Sequence, residues 1–141
     1  MPIDVSETRS RTFSGTKRRI FHLLEGMGTS GDQIWPFASQ PFMRSPGPLT
    51  PDRTEEWHLG IHAVLAEVVP EERIVWRFLN DGVNGTHGFY LTSSGKQTVL
   101  DYRVEASLSD TDGRLLWRRL EDAFERSTEA LFEKIARVLK R

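Results

Sequence analysis

His87 is the polar side chain in this 141-residue sequence best placed to do chemistry. It sits in Gly85-Thr86-His87-Gly88-Phe89, a strand-like stretch in which His87 and Phe89 share one face. An imidazole facing a core can orient a ligand carbonyl, or act as acid or base near neutral pH. The alternative is a core histidine satisfied by a neighbouring backbone or hydroxyl group. Tyr102 offers a hydroxyl to a ligand, or packs its ring on Phe124. Glu67, if it lies opposite Trp76, is a buried carboxylate with a raised pKa and thus a general base beside His87. A register one residue off leaves it solvated.

His58 and His62 are four residues apart and invite a metal reading. A zinc protease needs His-Glu-x-x-His on a helix. Here the stretch is His58-Leu59-Gly60-Ile61-His62, with no glutamate after the first histidine and a glycine inside. It reads as strand, where positions four apart share a face but stand far apart. A His58/His62/His87 grouping is the weakest of these readings, so no metal ligands and no cofactor are assigned. His58 is kept as a cavity residue, although the face count puts it inside only if Gly60 marks a bulge. His22 falls on the wet side of a short helix. With no cysteine, thiolate nucleophiles, thiolate metal sites and disulfides are all absent. Gly82-Val83-Asn84-Gly85 has no lysine and no following helix, so it is a turn and not a phosphate loop. No Ser-His-Asp pattern or carboxylate pair stands out.

Rigid elements must hold these side chains. Over residues 112–141, Leu116, Leu120, Ala123, Phe124, Ser127, Leu131, Ile135 and Val138 fall in one helical stripe. Arg118, Asp122, Glu125, Glu129, Glu133, Arg137 and Lys140 fall opposite. Asp112 is the expected N-cap, and the basic residues at the far end suit the helix dipole. Phe132 and Leu139 lie off the stripe, toward solvent, and are too few to claim a dimer contact. Before this helix the texture is strand-like. Strands are expected at 5–13, 61–69, 73–79, 86–92 and 96–108, with turns at Pro70–Arg73 and Ser94-Gly95. A helix is expected at 17–25, capped by Ser14 or Thr16 and ended by Gly26, with at most one more helical turn at 33–37. Four prolines make 38–56 a loop that serves as a lid or rim, or as an irregular edge over the core.

Strand register assigns faces. A two- or four-residue turn at Ser94-Gly95 puts His87, Phe89 and Leu91 on the same face as Leu100, Tyr102 and Val104. A two-residue turn at Glu71-Glu72 pairs Trp76 with Glu67 and Phe78 with Leu65. The order of elements makes an α+β fold with the last helix laid on one face of an antiparallel sheet. The length suits one domain with one core. Net charge is −1, with 19 Lys+Arg against 20 Asp+Glu and no long block of one sign, so no nucleic-acid partner is expected. The first ten residues are polar, without the apolar core of a signal peptide, and no run spans a bilayer. A cytoplasmic protein, without membrane insertion and monomeric or weakly dimeric, is the expectation.

The stretches Pro70-Glu71-Glu72-Arg73-Ile74-Val75-Trp76-Arg77-Phe78 and Gly85-Thr86-His87-Gly88-Phe89-Tyr90-Leu91, with the element order and the long last helix, resemble the START-like, Bet v 1-like superfamily. That superfamily includes polyketide cyclase/dehydrase-like proteins and homologues of the Hsp90 ATPase activator. A bacterial subgroup of unassigned function is similar around His58-Leu59-Gly60-Ile61 and Gly85-Thr86-His87. The resemblance runs from about residue 13 to residue 139 and is weakest over 38–56. It implies a helix-grip: a curved antiparallel sheet of six or seven strands around the C-terminal helix, with two short helices after the first strand. It also implies a cavity for a small hydrophobic or aromatic ligand, lined by Trp76, Phe78, His87, Phe89, Tyr102, Leu120, Phe124 and His58. Three functions follow from it: binding of such a ligand; a cyclase-, dehydratase- or isomerase-like enzyme with His87 as acid or base and Glu67 or Tyr102 assisting; or an Hsp90-activator-like interaction module.

Overall fold

The computed structural model describes residues 2–109 and 111–141. Strand β1 (Ile3–Phe13) opens the chain, followed by helix α1 (Lys17–Glu25). Six strands follow: β2 (Met43–Arg44), β3 (Glu55–His58), β4 (Ile61–Val69), β5 (Arg73–Phe78), β6 (Val83–Ser94) and β7 (Gln97–Leu108). Helix α2 (Thr111–Leu139) closes the chain. The strands form one antiparallel sheet in the order β1-β7-β6-β5-β4-β3-β2. The fold is α+β, a helix-grip with α2 held against the sheet. No helix among the described residues is long and apolar enough to cross a membrane.

Local chemistry explains the elements. Thr16 caps α1 by accepting from the Arg19 amide at 3.1 Å, and Gly26 ends it. Only one short helix follows β1. Residues 33–37 form no helix; Asp32 Oδ1 accepts from the amides of Ile34 and Trp35 and holds a local turn there. Helix α2 starts at Thr111, so Asp112 sits in its first turn and is not its N-cap.

The β6–β7 faces fall as the sequence implies, although the turn holds Gly95 and Lys96, one residue beyond Ser94-Gly95: His87 pairs with Val104, Phe89 with Tyr102 and Leu91 with Leu100. The β4–β5 pair does not. The turn holds three residues, Pro70, Glu71 and Glu72, and not two, so Val69 pairs with Arg73 and Glu67 with Val75; a bulge at Ala66 then shifts the register again and pairs Leu65 with Trp76. Glu67 therefore points to solvent, where it accepts from Arg73 Nε at 2.6 Å.

The core joins both layers. Leu100, Tyr102, Val104, Ala106 and Leu108 alternate inward along β7. Helix α2 answers with Trp117, Leu120, Thr128, Leu131, Phe132, Ile135 and Val138. Phe132 is fully buried, and Leu139 packs against the core, so the solvent placement of both is overturned. At its N-terminus α2 meets the β5–β6 turn, where a Cβ on Gly113 would lie 2.3 Å from the Gly82 carbonyl oxygen. Gly113→Ala is expected to cost about 1–3 kcal/mol in a denaturant titration, as overpacking against an unyielding backbone does.

Candidate functional site

Between α2 and the sheet lies a cavity of about 60 Å³. Most of its wall is apolar: Trp35, Phe42, Phe78, Phe89, Trp117, Leu120 and Phe124. Four polar residues, Glu56, His58, His87 and Tyr102, meet on the sheet side, while Ser127 and Thr128 line the α2 side with their hydroxyls donating to the Phe124 carbonyl.

The β3–β4 hairpin supplies two of them. Leu59 and Gly60 are its two turn residues, both at positive φ (49° and 87°), so His58 pairs directly with Ile61. Gly60 thus marks a tight turn and not a bulge. Glu56 and His58, two residues apart, share the inward face, while Glu55 and Trp57 share the other. His62 falls on that outer face, 2.8 Å from Glu55 and stacked on Trp57 at 5.1 Å. It has no part in the cavity, and the His58/His62/His87 grouping fails with it.

Strands β6 and β7 supply His87 and Tyr102. The Tyr102 hydroxyl lies 2.8 Å from His87 Nδ1. His87 Nε2 lies 2.5 Å from Glu56 Oε1, and His58 Nε2 lies 3.2 Å from the same oxygen. Glu56 and His87 are 1% and 2% exposed. Close as they are, these contacts lack hydrogen-bond alignment: Glu56 Oε1, His87 Nε2 and both ring nitrogens of His58 have no hydrogen-bond partner. The His58 ring is held by aromatic neighbours, stacked on Phe42 at 4.6 Å and edge-on to Trp35 at 5.6 Å.

The electrostatics follow from burial. Desolvation pushes the Glu56 carboxyl up, but the His87 and His58 imidazoles together outweigh it and bring its pKa down to about 2. Glu56 is a carboxylate at neutral pH. Burial, helped by the Glu56 charge, pushes the Tyr102 phenol well above its ordinary value, so it keeps its proton. A phenol is hydrogen-bonded to an imidazole whose other nitrogen lies beside a carboxylate, and a small turn of the His87 ring would let a proton pass along the three.

Most candidates chosen from sequence come together here. His58, Phe78, His87, Phe89, Tyr102, Leu120 and Phe124 all line the cavity. Tyr102 does both things open to it: it stacks on Phe124 at 5.2 Å and turns its hydroxyl to His87. Trp76 does not line the cavity; it is core, beside a separate gap with Leu24, Ile74 and Phe89. Glu67 is on the surface. Glu56 is the residue that sequence reasoning missed. The available signal was the alternation Glu56-Trp57-His58, which puts a carboxylate and an imidazole on one face of any strand formed there.

No family model matches the chain, and no curated protein does. Solved structures do. Protein Ms6760 from Mycobacterium smegmatis superposes with a TM-score of 0.67 at 15% identity, over 96% of this chain and 90% of that one. CalU16 from Micromonospora echinospora gives 0.62 at 12% identity, over 89% of this chain and 71% of that one. DynU16, a protein of the dynemicin biosynthetic locus, gives 0.60 at 16% identity, over 96% of this chain and 47% of that one. At such identities the likeness is one of fold: the sheet that grips a C-terminal helix is shared with all three.

Proposed function

We propose that this chain is a single START-like domain that takes a small, largely apolar molecule between sheet and α2 and anchors its polar end on His87 and Tyr102. The observation that carries this reading is a mostly aromatic and aliphatic wall with His87 and Tyr102 on its sheet side, the hydroxyls of Ser127 and Thr128 on the α2 side being spent on the Phe124 carbonyl. The aromatic rings of the wall, Trp35, Phe42, Phe78, Phe89, Trp117 and Phe124, support a ligand of aromatic character. At about 60 Å³ the cavity is smaller than the roughly 150 Å³ that admits benzene in an engineered core, so such a ligand requires the wall to give. Trp35 and Phe42, which line the wall from outside the regular strands and helices, are where this reading places that movement.

A second reading is favoured by one observation, the proximity of Tyr102, His87 and Glu56, with His87 between the other two. It is an enzyme of the cyclase, dehydratase or isomerase kind, working by proton transfer in the same cavity. In it Glu56 takes the assisting place expected of Glu67.

The test is native mass spectrometry of the purified protein, followed by organic extraction. An adduct that is released on extraction is expected. Ala123→Phe, which fills the cavity from α2, is expected to weaken rebinding about 5- to 150-fold, the equivalent of 1–3 kcal/mol of overpacking. Equal binding to the filled variant overturns the proposal.

A further inference from the structure

We propose that Glu56, His58 and His87 form a binding site for one divalent transition-metal ion, zinc first among them. Two imidazoles and one carboxylate are the donor set of His₂Glu zinc centres, and with open positions they also suit ferrous iron. The three donor atoms lie within 4.8 Å of one another, facing inward from β3 and β6. Glu56 Oε1, His58 Nε2 and His87 Nε2 are buried and crowd one another at 2.5 and 3.2 Å without making an aligned hydrogen bond. Buried polar atoms are costly in that state, and a shared cation satisfies all three at once.

The distances come close to what a metal requires. Bonds of about 2.0–2.2 Å at tetrahedral angles set donors roughly 3.3–3.5 Å apart. Glu56 and His58 are already 3.2 Å apart. Glu56 and His87, at 2.5 Å, must separate by a little under about 1 Å, within reach of small side-chain rotations. Tyr102 supplies the outer support. With Nδ1 of His87 protonated and donating to the Tyr102 oxygen, Nε2 presents its lone pair to the metal. The remaining coordination position faces the cavity, an open site of the kind that catalytic zinc keeps. Strands β4 and β5 lie between β3 and β6, so the ion also clamps the sheet across its inner face. This inference does not depend on the cavity taking an organic ligand.

The test uses the full chain, free of any affinity tag and stripped with chelator. Zn²⁺ is titrated by calorimetry, and Co²⁺ by visible absorption. One equivalent is expected to bind, with a rise in Tm that chelator reverses. His58→Ala is expected to lose more affinity than the roughly 10- to 100-fold that removing an outer-shell partner costs, and Tyr102→Phe to lose about that much. His62→Ala is expected to bind as the parent does. If His58→Ala does not fold, Glu56→Gln, nearly identical in size, carries the same expectation. Absence of saturable one-to-one binding, or undiminished binding by these variants, overturns the proposal.

Discussion

Phe132→Ala is expected to destabilise the protein by about 3–5 kcal/mol, the range for removing a fully buried phenyl ring. Phe132 has 0% exposure and meets Phe13 edge-on, with ring centroids 6.0 Å apart and planes at 84°. It therefore holds the C-terminal half of α2 to β1, at the edge of the sheet. Deleting the ring removes its transfer free energy and leaves a cavity that β1 and α2 cannot both close. Urea titration should show the midpoint falling with the slope unchanged. Leu139→Ala, at a half-buried site, should cost clearly less. A loss under about 1 kcal/mol for Phe132→Ala would mean that the ring lies at the surface, as a simple helical stripe places it.

That stripe shows where sequence reasoning reaches its limit. It identifies Leu120, Leu131, Ile135 and Val138 correctly, because one sheet covers that face. Near its C-terminus α2 is covered from a second direction. Arg19 of α1 donates to the carbonyls of Val138 and Leu139 at 3.1 Å, and Lys134 donates to the Trp35 carbonyl at 3.0 Å. A helix gripped on more than one side buries a wider arc than a periodicity of 3.6 reveals. Phe132 lies in that extra arc, roughly 60° beyond Ile135 at about 100° per residue. The inward faces of β6 and β7 were legible although the turn falls at Gly95-Lys96 and not at Ser94-Gly95, because a register shift of two keeps every side chain on its face. The β4–β5 pair was not legible, since a third turn residue between Val69 and Arg73 shifts the register by one and turns Glu67 outward, and the bulge at Ala66 shifts it again without altering the alternation on either side.

The candidate site was half legible for a related reason. His87 and Tyr102 stand in long alternating strands, and their faces follow from any plausible hairpin. Glu56 and His58 stand in a four-residue strand after a proline-rich stretch, where composition argues for loop. Its tight turn at Leu59-Gly60 requires positive φ at a leucine, which no turn signal announces. The carboxylate that faces His87 thus comes from the segment least readable as structure. Glu67, the carboxylate that strand register offered in its place, is turned outward by one extra residue.

His87→Gln is expected to separate binding from proton transfer. Glutamine fills similar space and retains a donor and an acceptor, so ligand affinity should stay within a few-fold. It cannot carry a proton near neutral pH, and it breaks the line from the Tyr102 hydroxyl, 2.8 Å on one side, to Glu56, 2.5 Å on the other. If the cavity does acid–base chemistry, the rate should fall about 10²- to 10⁴-fold. The readout need not await a known product. For a carbonyl ligand recovered by extraction, exchange of its adjacent C–H protons with deuterated solvent reports proton abstraction directly. Run with chelator present, the exchange reports the side chains without help from a bound cation. A large drop in exchange at preserved affinity assigns His87 as the proton carrier. Parent protein that binds the ligand but exchanges nothing leaves His87 and Tyr102 as anchors, and the line of groups then serves to hold a ligand and not to transform it.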